Sequence, residues 1–168
     1  KKTNCGTAVV GIRVCKMATK ALRLPTHFAR YSNHTNAPFG SSRRKKIVTI
    51  LGGVHGNELV GVEIVRWLQG LLSNAPSSTF DYMNGELILG LGNPKAIEAG
   101  TRACSSVDDL NRCFIVNEGC IKQKKILSYE EQRSLDIRPL LKETDILLDI
   151  HATNKPSLPF IRIAGEQF

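Results

Sequence analysis

IVTILGGVHGNE, residues 47–58, decides how the rest of the chain is read. Ile47 to Leu51 is an unbroken run of apolar and β-branched residues, the pattern of a short strand buried on both faces. Gly52-Gly53 ends it, and paired glycines let the backbone turn sharply off a sheet. His55 and Glu58 follow at i, i+3, where a helix is expected to begin, so both side chains point the same way. An imidazole nitrogen and a carboxylate oxygen are good zinc donors, and a catalytic zinc takes three protein ligands and a water. A third ligand should therefore lie downstream.

Residues 58–72 place Val60, Ile64, Trp67, Leu68 and Leu71 at steps of three and four, an amphipathic helix with Asn57 as its expected N-cap and Trp67 in the core or in helix packing. Ser73–Asn84 reads as a loop, and Glu86–Leu91 as a second buried strand. Pro94 suits the first turn of a short helix ending at Ala99, with Gly100 just beyond it. Ser128 and Glu131 form a capping box, and the helix they open is expected to break near Pro139. Asp145–Ile150 is a third buried strand, and His151 stands at its end as His55 follows the first. Two neighbouring parallel strands would bring the imidazoles together. The alternation of strands and helices predicts an α/β fold with a mostly parallel, mixed sheet and helices on both faces.

The polar loop 101–114 holds Arg102, Asn111 and Arg112, side chains suited to gripping carboxylates. Asp108 and Asp109 could instead neutralise the arginines as surface ion pairs. Asp149, sharing a strand face with His151, could orient that imidazole or cap a neighbouring helix.

The net charge of +8 is unevenly placed: residues 1–46 hold eleven Lys or Arg and no acid, whereas 47–168 hold twelve against fifteen Asp or Glu. Residues 1–46 are accordingly expected to be a basic leader, either an organelle transit peptide or a disordered tail, ahead of a domain over 47–168. No basic patch interleaved with aromatics argues for nucleic-acid binding, and no run of eighteen apolar residues spans a membrane. An intracellular soluble protein is expected, in the cytoplasm or, with a transit peptide, an organelle lumen. Five cysteines without a CxxC pair fit free thiols in a reducing compartment.

GGVHGNE at 52–58, NPKA at 93–96, TR at 101–102, DLNR at 109–112 and DIHAT at 149–153 resemble, in order and spacing, the aspartoacylase family. These are zinc amidohydrolases related to succinylglutamate desuccinylases and zinc carboxypeptidases. The resemblance implies one zinc ion held by His55, Glu58 and His151, with Arg102 polarising the scissile carbonyl. Asn111 and Arg112 would bind a carboxylate of the substrate. It implies a carboxypeptidase-like fold, here in truncated form, and cleavage of an acidic N-acyl amino acid such as N-acetyl-aspartate. Ala152 stands where the family carries an asparagine. The family's general-base glutamate and a further arginine lie on later strands, with no counterpart up to Phe168. Alternatives are a non-catalytic zinc-binding domain or a related desuccinylase or carboxypeptidase. A homodimer is one assembly to be tested.

Overall fold

The computed structural model describes residues 8–14, 24–33, 45–104, 106, 108–153 and 156–164. Among these described residues, six strands form one mixed sheet: β1 (Ala8–Val14), β2 (Phe28–Ser32), β3 (Lys46–Gly52), β4 (Gly85–Leu91), β5 (Ile146–Ala152) and β6 (Phe160–Ala164), in the order β2-β4-β3-β5-β1-β6. The central β4, β3 and β5 run parallel; β2 pairs antiparallel with β4, and β1 antiparallel with β5 and parallel with β6. The expected mixed α/β sheet is present. Two segments of the stretch expected to be a leader or tail are strands of it, and a disordered tail does not describe them. No charge pattern marks them as strands; they are held by backbone pairing to partners about sixty and one hundred and forty residues away, such as Phe28 with Gly90 and Val9 with His151.

The helices are α1 (Leu59–Ser73), α2 (Pro94–Ala99), α3 (Leu110–Cys113), α4 (Glu118–Lys122) and α5 (Tyr129–Glu143), besides a 3₁₀ turn at Ser77–Phe80. Strand alternation sends Ile50 and Leu89 to one face, where Val62, Val65, Leu68 and Leu72 of α1 cover them. Ile47, Leu51, Ile88 and Leu147 face the other way, against Leu110 of α3 and Leu140 of α5. Helices therefore cover both faces. The chain leaves β3 through α1 to reach β4, then crosses back through α5 to β5 on β3's other side. The strand order reverses around β3, and in such sheets ligands gather beyond the carboxyl ends of the strands at that point.

The buried face of α1 differs from the expected one. Gly61, Val62 and Val65 are buried, while Ile64, Trp67 and Leu71 are 36%, 66% and 53% exposed. The reason is close approach. A Cβ on Gly52 would stand 2.2 Å from the Gly61 carbonyl oxygen, and one on Gly61 would stand 2.6 Å from the Ile150 oxygen. The helix lies on the sheet through its smallest residue, which brings its N-terminus against the ends of β3 and β5. The Gly52→Ala substitution should accordingly destabilise the protein by about 3 kcal/mol, read as a lowered urea midpoint. An unchanged midpoint would place α1 farther from β3 than this packing requires.

Glu58, not Asn57, is the N-cap of α1, with no side-chain bond to the helix. At α2, Pro94 occupies the first turn, the Asn93 side chain accepts from the Ala96 N–H, and Gly100 closes the helix at φ 64°. The Ser128–Glu131 capping box is formed. α5 continues through Pro139, which removes one backbone donor near the last turn. Leu140 holds that turn against Ile47 and Ile88 of the sheet, Ile137 is buried beside it on α5, and the Thr144 N–H and hydroxyl both donate to the Leu140 carbonyl. Cys104, Cys113 and Cys120 are free thiols; Cys5 and Cys15 lie outside the described residues. Among the described residues no helix is long and apolar enough to cross a membrane. Among the described residues, Phe160, Ile161 and Ile163 of edge strand β6 are exposed.

Candidate metal centre

Gly53, with φ 66°, turns the chain off β3, and the Glu58 N–H donates to the His55 carbonyl at 3.2 Å. His55 and Glu58 thus share a hydrogen-bonded turn just ahead of α1, rather than the helix's first turn. β5 runs parallel beside β3 and ends in His151 and Ala152. Glu58 lies between the imidazoles: its Oε1 is 2.8 Å from His55 Nδ1, and its Oε2 is 2.9 Å from His151 Nδ1. The Ala152 N–H donates to the same Oε2 at 2.8 Å. The ring centroids are 5.0 Å apart. One ligand atom from each of His55, Glu58 and His151 lies within 4.8 Å of the other two, so the group could hold a metal ion.

The outer nitrogens are engaged as well. His55 Nε2 is 3.1 Å from Asp109 Oδ1, and His151 Nε2 is 2.9 Å from Asp149 Oδ2. A carboxylate on Nε2 fixes the ring's direction and directs Nδ1 inward, the usual support of metal-binding histidines. Asp149 therefore orients His151 and does not cap a helix. Asp109 is offered by the sequence only as an ion-pair partner of the loop arginines. It does pair with Arg102, through Nε at 3.2 Å and Nη2 at 3.0 Å, but it also holds His55 and accepts from the Asn111 N–H at the start of α3.

Burial alone would raise the Glu58 carboxyl, but hydrogen bonds from His151, His55 and the Ala152 N–H outweigh it and hold the group well below the usual carboxylate range. Burial would likewise lower His151; bonds to Asp149 and Glu58 win and lift it to about 10. At Asp109 the burial penalty is overcome by the Asn111 N–H, His55 and Arg102, and its carboxyl is lowered.

Arg102 reaches the centre. Its Nη1 is 3.6 Å from Glu58 Oε1, its side chain is 49% exposed, and its carbonyl accepts from the Gly56 N–H at 3.3 Å. Asn111 joins the group through its backbone. Arg112 is exposed on α3 and has no ion pair among the described residues.

Residues 44–167 match the sequence model of the succinylglutamate desuccinylase/aspartoacylase catalytic domain. The chain belongs to that family. A probable aspartoacylase from Nostoc sp. is 35% identical over 111 residues, 63% of this chain and 35% of that protein. The aspartoacylase of Rattus norvegicus is 31% identical over 115 residues, 64% of this chain and 34% of its own length. A succinylglutamate desuccinylase from Burkholderia thailandensis is 34% identical over 77 residues, 46% and 20% of the two chains. The chain thus spans about a third of the length of the aspartoacylases it matches. The crystal structure of a succinylglutamate desuccinylase from Chromobacterium violaceum is 26% identical and aligns at a TM-score of 0.42, covering 58% of this chain and 28% of that one.

The DLNR and DIHAT motifs of this family member thus supply the outer carboxylates as well as the residues singled out from sequence. Sequence reasoning passed over two further buried groups on α5, Glu130 and Arg133. The capping box absorbed the acids of SYEE, and no local pattern marks a buried arginine.

Proposed function

We propose that the chain carries the metal-binding part of a zinc amidohydrolase that deacylates acidic N-acyl amino acids, N-acetyl-aspartate being the first substrate to test. One observation carries the proposal: two imidazole Nδ1 atoms and a carboxylate converge at the carboxyl ends of β3 and β5, with carboxylates behind both rings. Two nitrogens and a carboxylate are a hydrolytic zinc donor set, leaving one position for water or substrate. Zinc bound there would supply a Lewis acid and would lower the pKa of a water in that position to about 7.

The chain's own residues hold, orient and donate around it. His55, Glu58 and His151 hold the ion; Asp109 and Asp149 keep the imidazoles turned toward it. His151 would have to be neutral at Nδ1 to act as a ligand, so metal affinity would be expected to fall at low pH. Arg102, beside Glu58, donates to the acyl oxygen as negative charge develops on it. Asn111 and Arg112 take the carboxylate of the amino-acid half, for which an exposed guanidinium without an ion pair among the described residues is suited. Arg112→Ala should raise KM for N-acetyl-aspartate roughly 10- to 100-fold, the worth of a charged hydrogen bond, with a smaller change in kcat. An unchanged KM would remove Arg112 from that contact.

A second reading, deacylation of a succinylated amino acid, is supported by the Burkholderia desuccinylase among the relatives. Zinc quantification together with acetate release from N-acetyl-aspartate, and succinate release from N-succinyl-glutamate, tests both. Zinc with neither product would favour a non-catalytic metal-binding domain.

A further inference from the structure

We infer that Glu130 is a positioning residue for Arg102: its buried carboxylate clamps the backbone two residues beyond the arginine and so sets where the guanidinium stands. The inference rests on the hydrolase proposal only for what Arg102 does once placed.

Glu130 is 0% exposed in the first turn of α5. Its Oε1 accepts from the Cys104 N–H at 2.6 Å and from the Asn93 side-chain amide at 3.1 Å. Asn93, equally buried, is fixed in turn: its Oδ1 accepts from the Ala96 N–H, and its own N–H donates to the Gly53 carbonyl at 2.9 Å. On the other side of the arginine, the Arg102 carbonyl is tied to Gly56, next to His55. The arginine's backbone is thus held at one point by the turn carrying a candidate ligand and at another by α5.

α5 itself is locked to the sheet at this edge. Arg133, one turn along, donates to the Leu91 and Gly92 carbonyls at 2.8 Å each and to the Thr26 carbonyl at 2.9 Å. The clamp is therefore anchored where β4 ends.

A role confined to starting α5 does not account for Glu130. Ser128 and Glu131 already make the capping box, and Glu131 serves it without Glu130. Nor is the burial free: Glu130 Oε2 lies inside with no hydrogen-bond partner among the described residues. Leaving a buried carboxylate oxygen unpaired is costly, and such groups are retained where the paired oxygen does something particular. Here it fixes a loop in which no described residue between Gly100 and Asp109 lies in a helix or strand.

The test compares Glu130→Met, which fills the volume but accepts nothing, with Glu130→Gln, which keeps an acceptor. Cys104→Pro, which removes the donor N–H together with a thiol that donates to Asn93 Oδ1 at 3.6 Å, is the third variant, with Cys104→Ala as its control for loss of the thiol alone. In Glu130→Met we expect faster amide exchange at Arg102 and Cys104, zinc content unchanged, and kcat lower by roughly 10- to 100-fold with KM little moved. Cys104→Pro should repeat the kcat loss, and Glu130→Gln should stay close to wild type. Unchanged exchange and kcat in Glu130→Met, loss of zinc along with activity, or equal damage from Glu130→Gln would each overturn the inference. Should Glu130→Met fail to fold, the Cys104→Pro kcat decides. Wild-type protein lacking both zinc and hydrolysis would end the hydrolase proposal, and amide exchange alone would then decide whether Glu130 clamps the loop.

Discussion

His151→Ala is expected to leave the protein without stoichiometric zinc and without measurable deacylation. The loss follows from geometry. His151 supplies one of three ligand atoms that lie within 4.8 Å of one another, and the other two come from a single turn. Removing even an outer-sphere partner of a metal ligand costs about 10- to 100-fold in affinity, and removing the ligand itself costs more. The change should affect stability less than metal binding. Glu58 would keep His55 and the Ala152 N–H as partners for its buried carboxylate, so the fold should lose on the order of 1–3 kcal/mol. Elemental analysis after dialysis, beside a hydrolysis assay and an unfolding curve, separates these effects. One zinc per chain retained in the alanine variant would take His151 out of the centre.

Arg102→Ala should have the second largest effect, of a different kind. Turnover should fall roughly 10²- to 10³-fold, the usual cost of losing a donor to a developing oxyanion, while zinc content stays at the wild-type level. The guanidinium is aimed by Asp109, which takes its Nε and Nη2 on one oxygen, leaving Nη1 near Glu58. Lysine lacks that planar fork, so Arg102→Lys should recover little of the activity. Loss of zinc in parallel with turnover would mean that Arg102 serves the metal centre as a counter-charge and not the acyl oxygen.

The sequence told most where local chemistry and tertiary structure agree. The run 47–51 between charged and glycine-rich flanks, the glycine turn, the Pro94 start and Gly100 end of α2, and the Ser128–Glu131 box all sit where their chemistry places them. His55 and His151 were legible as neighbours because each follows a buried strand, and parallel pairing of β3 with β5 does the rest.

Legibility failed where a contact depends on what is missing from a side chain. Period alone chose the large apolar stripe of α1 for the core, yet the sheet receives the stripe that begins at Gly61. Trp67, the largest side chain of the helix, faces outward. The glycine pair at 52 and 61 is invisible to a hydrophobic count, although it brings the N-terminus of α1, and with it Glu58, to the ends of β3 and β5. β1 and β2 were hidden for another reason. Their partners are far away in sequence, and the basic composition around them points to a leader. α5 passes through Pro139 because burial of Ile137 and Leu140 outweighs one lost hydrogen bond. At the centre, Asp109 serves an imidazole, a guanidinium and a helix start at once, and only the fold reveals that His55 lies within its reach.

The central claim is that two imidazoles and one carboxylate, and no thiolate, hold a single zinc ion. X-ray absorption at the zinc edge of the loaded protein tests it most directly. The account predicts nitrogen and oxygen neighbours at about 2.0–2.2 Å with two histidine rings in the outer shells, at one ion per chain. A sulfur shell at about 2.3 Å, which would point to the Cys104, Cys113 and Cys120 thiols, or a spectrum without imidazole, would contradict it.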